Sequence, residues 1–167
     1  MVIFASDNGG ERYSFNWPHQ EHKGTLWEGG IRVPSIVRWP GVIRGGRVSG
    51  QVAITMDWTA TMLAAAGVAA DPKYPLDGVD LGPLLSAGRR EFERTVFWRQ
   101  PALRFNGAPP QAAVRMGRWK YLKVEERPAL FDLAADPGER RDRLAQHPRI
   151  GADLELALAE WTASLNP

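Results

Sequence analysis

Cysteine is absent from all 167 residues. That absence removes disulfides, thiolate metal sites and cysteine nucleophiles together, and it leaves the redox compartment unread. No apolar run approaches the ~20 residues that a membrane helix needs, so no membrane span is expected. A dominant charge is missing as well: 21 Lys+Arg against 19 Asp+Glu give a formal net charge of +2, and the arginines are scattered. Such a balance carries little of the electrostatic footprint of a nucleic-acid binder and suits a small acidic or sulfated substrate better. Internal repeats and low-complexity tracts are not found. What remains, 44% apolar and 24% charged residues, is the composition of a soluble globular protein.

Met1 leads directly into the apolar run Val2 to Ala5 without a basic region or a small-residue cleavage site. The start is therefore not expected to act as a signal peptide. A run so short reads as one strand of a buried parallel sheet whose other strands come from elsewhere. It ends in Asp7-Asn8-Gly9-Gly10, a tight-turn signal. Residues 11 to 30 show no sustained period and are expected to form a long ordered loop, with Tyr13, Phe15, Trp17 and Trp27 favouring a functional one. Val33 to Trp39 reads as a second buried strand closed by Pro40-Gly41. A helix is predicted from Thr55 or Asp57 to a Gly67 cap, burying Trp58, Met62, Leu63 and Ala66. The stretch Ala69 to Arg90 reads as a traverse with a helical turn near Pro83 to Ala87.

In the second half, Thr95 to Arg99, Ala112 to Met116, Trp119 to Val124 and Ala129 to Leu133 alternate with turn residues and predict an antiparallel sheet. Pro148 then opens a helix with Ile150, Leu154, Leu158, Trp161 and Leu165 on one face, expected to pack on that sheet.

Two constellations carry chemistry. Asp7-Asn8 sits at the carboxyl end of a strand, where open α/β sheets place ligands. A carboxylate beside an amide carbonyl offers hard oxygens, which suit Ca²⁺ or Mg²⁺ rather than zinc. Ca²⁺ takes roughly six to eight oxygens, so further carboxylates are needed from elsewhere. The second is His22-Lys23-Gly24-Thr25-Leu26-Trp27-Glu28-Gly29-Gly30-Ile31-Arg32-Val33-Pro34. Lys23 offers a compact ammonium with three donors and Gly24 lets main chain crowd close, so an oxyanion is the natural partner. Taken alone, a loop lysine is ordinarily a solvated charge, and Glu28 is expected to pair with Arg32.

The two segments together, followed by Ile36-Val37-Arg38-Trp39-Pro40-Gly41-Val42-Ile43, closely resemble the formylglycine-dependent sulfatases. The likeness continues through Asp57 to Gly67, Leu76-Asp77-Gly78-Val79-Asp80-Leu81, Val114-Arg115-Met116-Gly117-Arg118-Trp119-Lys120-Tyr121 and Leu130-Phe131-Asp132-Leu133, covering nearly the whole chain. The resemblance implies an α/β fold of the alkaline phosphatase-like class: part of a mixed sheet flanked by helices, then a small antiparallel sheet with a packed C-terminal helix. Residues 1–90 would be the C-terminal part of the catalytic domain, and 91–167 a subdomain of four antiparallel strands plus a helix. It further implies that Asp7 and Asn8 are ligands of a divalent cation, usually Ca²⁺ with Mg²⁺ as the variant. Lys23 would contact the sulfate and its bridging oxygen as a catalytic and substrate-binding residue, with His22 beside it at the substrate.

The resemblance is incomplete in one respect that matters. The family makes its formylglycine from a Cys or Ser in a Cys/Ser-x-Pro-x-Arg motif, and neither version occurs here. The expected protein is accordingly a sulfuric ester hydrolase fragment, inactive alone, whose partners are an aryl sulfate or sulfated glycan and the N-terminal part of the same protein. Family analogy points to a periplasmic, secreted or lysosomal location. Two other readings stay open: a phosphodiesterase or phosphonate hydrolase of the same superfamily, and a non-catalytic glycan-binding module.

Overall fold

Short strand-forming runs separated by turn residues produce the antiparallel sheet expected in the second half. The computed structural model describes residues 1–87, 90–102 and 108–165. The chain divides into two compact units, residues 1–7 with 35–93 and residues 8–34 with 94–167.

In the second unit β3 (Thr95–Gln100), β4 (Gln111–Met116), β5 (Trp119–Val124) and β6 (Arg127–Asp132) pair in sequence order, each antiparallel to the next. Successive side chains of a strand point to opposite faces, and here both faces are covered. Val114, Tyr121 and Leu130 face α4 (Pro148–Ser164), burying Leu154 and Leu158, while Phe97 stacks on Trp161 at 5.1 Å between ring centroids. Their neighbours Ala113, Leu122 and Phe131 face the other way, onto Leu26, Trp27 and Ile31 of the segment 8–34. Two buried faces explain why adjacent residues such as Ala113-Val114, Tyr121-Leu122 and Leu130-Phe131 are both apolar. The predicted helix is present and packed as expected, except that Leu165 lies past its end and is exposed.

In the first unit β1 (Val2–Ala5) and β2 (Ser35–Arg38) fall where the two apolar runs predicted strands. Their mutual arrangement corrects the expectation of parallel pairing. They pair antiparallel, in the register Val2↔Arg38 to Ala5↔Ser35, and Val2, Phe4 and Ile36 are exposed. Helix α2 (Thr55–Ala65) ends before Gly67, whose φ of 69° is the left-handed cap expected of it. Its buried side is another correction: Asp57, Ala60 and Thr61 are buried, whereas Met62 is 47% exposed. Polar satisfaction decides this face. The Asp57 carboxylate accepts the Ile54 and Val79 N–H groups, and the Thr61 hydroxyl accepts the Leu81 N–H. The helical turn near Pro83 is α3 (Gly82–Ala87); positions 88 and 89 of the predicted traverse lie outside the described residues.

Candidate functional site

Residues 8–34 contain one short helix, α1 (Glu28–Ile31), and otherwise turns. Order in such a segment has to come from main-chain contacts, and glycine makes them possible. The Gly9 N–H donates to Gly30 O at 2.8 Å, the Lys23 N–H to Gly10 O at 2.8 Å and the Gly29 N–H to Gln20 O at 3.0 Å. A Cβ on Gly9 would lie 1.9 Å from Gly29 O, and one on Gly29 would lie 2.3 Å from Gln20 O. No other residue fits at either position without moving the backbone. Asn16 ties the intervening loop by donating from Nδ2 to Glu21 O at 3.0 Å.

These contacts fix the main chain around several predicted site residues. Lys23 is bonded through its own N–H to the carbonyl of Gly10, two residues after Asn8, so the main chain at Lys23 runs beside that of residues 8–10 within the second unit. The Lys23 ammonium is half exposed and lies 3.1 Å from the exposed Glu11 carboxylate. An ion pair in that setting is worth about 0–1 kcal/mol, so an anion arriving at the lysine displaces Glu11 at little cost. His22 is half-buried; its Nδ1 lies 2.8 Å from Lys23 O, and its own carbonyl accepts the Thr25 N–H and hydroxyl. Asp7 is an exposed residue of the first unit, one peptide bond before Asn8. Trp17 is 67% exposed, and Tyr13 and Phe15 more so.

Oxygen donors of the Asp7 and Asn8 kind fit a hard divalent cation. The pair would offer two ligands at a site, and among the described residues no three His, Cys, Asp or Glu side chains stand together as a metal cluster.

Sequence reasoning missed the polar centre that carries the segment. Glu28 does reach Arg32, at 3.5 Å, but its principal partner is Lys120 of β5 at 3.0 Å. The Lys120 ammonium also pairs with Glu139 at 2.8 Å, and the other Glu139 oxygen accepts the Glu28 N–H at 2.6 Å. All three side chains are 2% exposed or less, and Arg115 stands 3.9 Å from Glu28. Burial alone would raise the Glu28 carboxyl; the Lys120 charge and hydrogen bond, with Arg115 and Arg32, outweigh it and leave the group below its ordinary value. For Glu139 burial wins over the same lysine, and its carboxyl is pushed up.

Residues 1–68 match the family model described as Sulfatase. Arylsulfatase A of Bos taurus is 30% identical over an alignment covering 99% of this chain and 39% of that protein. Steryl-sulfatase of Mus musculus is 32% identical, covering 100% of this chain and 33% of its own length. A sulfatase of Formosa agariphila is 33% identical over 95% of this chain and 31% of its own length. The chain thus spans well under half the length of these relatives. Among solved structures, Ps i-CgsB superposes with a TM-score of 0.81 at 27% identity, over 95% of this chain and 35% of its own. A 2-O GAG sulfatase shares the fold, with a TM-score of 0.70 at 21% identity over 99% of this chain and 36% of its own. The architecture is that of the alkaline phosphatase-like α/β class, and the chain belongs to the sulfatase family.

Proposed function

We propose that this chain supplies part of the catalytic site of a sulfuric ester hydrolase. The observation that supports the reading is the hydrogen bond of the Lys23 N–H to Gly10 O, which joins the main chain of a residue with a displaceable ammonium to the segment holding Asn8. Lys23 donates to a sulfate oxygen and opposes the negative charge that grows on the bridging oxygen as its bond to sulfur breaks. His22 holds the turn that presents Lys23 and flanks the substrate. Asp7 and Asn8 would hold Ca²⁺ or Mg²⁺ together with carboxylates from outside the chain. Such a cation, when bound, supplies Lewis-acid polarisation of the substrate. The nucleophile, a formylglycine, belongs to sequence outside these 167 residues.

Substrates named for the relatives range from arylsulfates and steryl sulfates to N-acetylgalactosamine-6-sulfate. Ps i-CgsB was solved in complex with k-i-k-neocarrahexaose. Trp17, exposed in the same loop as Lys23, offers an apolar platform on which either a sugar ring or an aryl ring can stack. The test joins the upstream coding sequence to this chain, matures it and assays an aryl sulfate, a sulfated oligosaccharide and an aryl phosphodiester. Sulfate release that collapses in Lys23→Ala supports the proposal. Lack of an in-frame Cys/Ser-x-Pro-x-Arg upstream, or turnover of the phosphodiester alone, overturns it.

A further inference from the structure

The segment 8–34 has little to hold it in place by itself. Its helix is four residues long, and most of residues 11–25 are exposed or only half-buried. Its fastenings to the rest of the second unit converge on a few atoms. Glu139 receives the Glu28 N–H on its carboxylate and the Gln20 side-chain amide on its main-chain carbonyl, at 2.6 and 2.8 Å. Next to it, Pro137 O lies 2.9 Å from His19 Nδ1. Lys120 joins the Glu28 and Glu139 carboxylates at 3.0 and 2.8 Å. Around this centre Leu26 donates its N–H to the Gln111 side chain at 2.9 Å, and Trp27 packs on Phe131 with ring centroids 5.3 Å apart.

Buried ions are a poor device for stability alone, since well-packed apolar side chains of similar volume do as well or better. What they add is direction: an ammonium between two carboxylates accepts one register of the loop against the sheet and penalises its neighbours. A one-residue slip of α1 would strand a charge inside the unit. The two ends of the segment that bear on the site are coupled to that register through the glycine contacts, since Gly30 O holds Gly9 and Gly10 O holds Lys23.

We infer that Lys120, Glu28 and Glu139 are positioning residues of the sulfatase site: their buried ion triad sets where the main chain carries Asn8 and Lys23, although none of the three touches the substrate. The inference rests on the anion-site reading of Lys23 for its functional half, and on geometry alone for its structural half.

The experiment compares the 167-residue chain with Lys120→Met, which keeps the side-chain stem and removes the charge. Amide hydrogen exchange is read at Gly9, Lys23, Glu28 and Gly29, with the β4–β5 ladder amides as reference. The expected result is at least tenfold faster exchange in the segment with the ladder unchanged. In parallel, inorganic sulfate is titrated while the Lys23 resonances are followed; the variant should bind at least fivefold more weakly though Lys23 is intact. Equal acceleration in segment and ladder, or no acceleration in either, overturns the positioning role, as does unchanged sulfate affinity beside a freed segment. If Lys120→Met does not fold, Glu139→Gln retains the Glu28–Lys120 pair and should give the same segment-confined pattern at smaller amplitude; a uniform pattern there overturns the inference equally. A parent chain that shows no sulfate response at Lys23 would refute the anion site, while the exchange comparison still decides the fastening.

Discussion

Glu28 and Glu139 are the same chemical group, buried against the same ammonium, and their ionisations are pulled in opposite directions. Glu28 has Arg115 and Arg32 as further cations, whereas Glu139 has chiefly its desolvation. The consequence for stability follows from linkage. Between its depressed folded value and the ordinary 4.5, Glu28 binds fewer protons folded than unfolded, so its contribution is lost as pH falls through that window. Glu139 is the reverse: above the ordinary 4.5 the folded form holds its proton longer, so stability falls as pH rises through the raised value. The unfolding midpoint in urea should therefore decline on both sides of an acidic optimum. Glu139→Gln should remove the decline on the alkaline side and keep the acid one. A variant curve parallel to the parent above that optimum would refute the assignment. A steric counterpart is Gly9→Ala, whose methyl meets Gly29 O at 1.9 Å. It should cost about 1–3 kcal/mol in the same urea titration. The turn at Asp7-Asn8-Gly9-Gly10 was legible because the constraint is local. Glu28 was not, because its partners stand 92 and 111 residues away and only the folded sheet brings them together.

Helices α2 and α4 show how far periodicity reads burial. On α4 the face predicted from spacing is the face that packs, because a sheet of fixed apolar pattern lies against it: Leu154 is 1% exposed and Leu158 is 5% exposed. Tyr121 adds a hydrogen bond from its hydroxyl to Glu155 at 2.8 Å, and burial together with that acceptor pushes its phenol well up. Leu154→Ala should cost about 2–5 kcal/mol, because deleting buried methyls leaves a cavity. Leu165→Ala, one turn beyond the packed face, should stay within about 0.5 kcal/mol. Thermal unfolding of the two variants side by side checks the pair; equal losses would mean that α4 is held by its whole length rather than by this face. On α2 the same reasoning failed, since the carboxylate of Asp57 and the hydroxyl of Thr61 had unmet main-chain donors to satisfy and turned inward. Hydrophobic spacing cannot register such a demand, because the donors at Val79 and Leu81 lie about twenty residues further on.

At the scale of the molecule, the first unit presents an apolar surface that its own residues do not cover. The antiparallel register places Val2, Phe4 and Ile36 on one face of the β1–β2 pair, with Arg38 at its end. Phe4 is 63% exposed and Ile36 62%. Contiguous apolar side chains of this kind ordinarily mark a surface that another element covers. The apolar runs that announced these strands were legible for that reason: they are written for two-sided burial, which the described residues do not provide. The isolated chain should consequently bind an apolar fluorescent dye above the level of a well-packed monomer of its size. The double variant Phe4→Lys with Ile36→Lys should bring the signal down several-fold. It should do so while the far-ultraviolet dichroism and the packing of Leu154 and Leu158 stay as they are, because the substituted residues belong to the first unit and the α4 core to the second. Undiminished dye binding in that variant would move the exposed surface elsewhere, and the exposed aromatics Tyr13, Phe15 and Trp17 would be the next place to substitute.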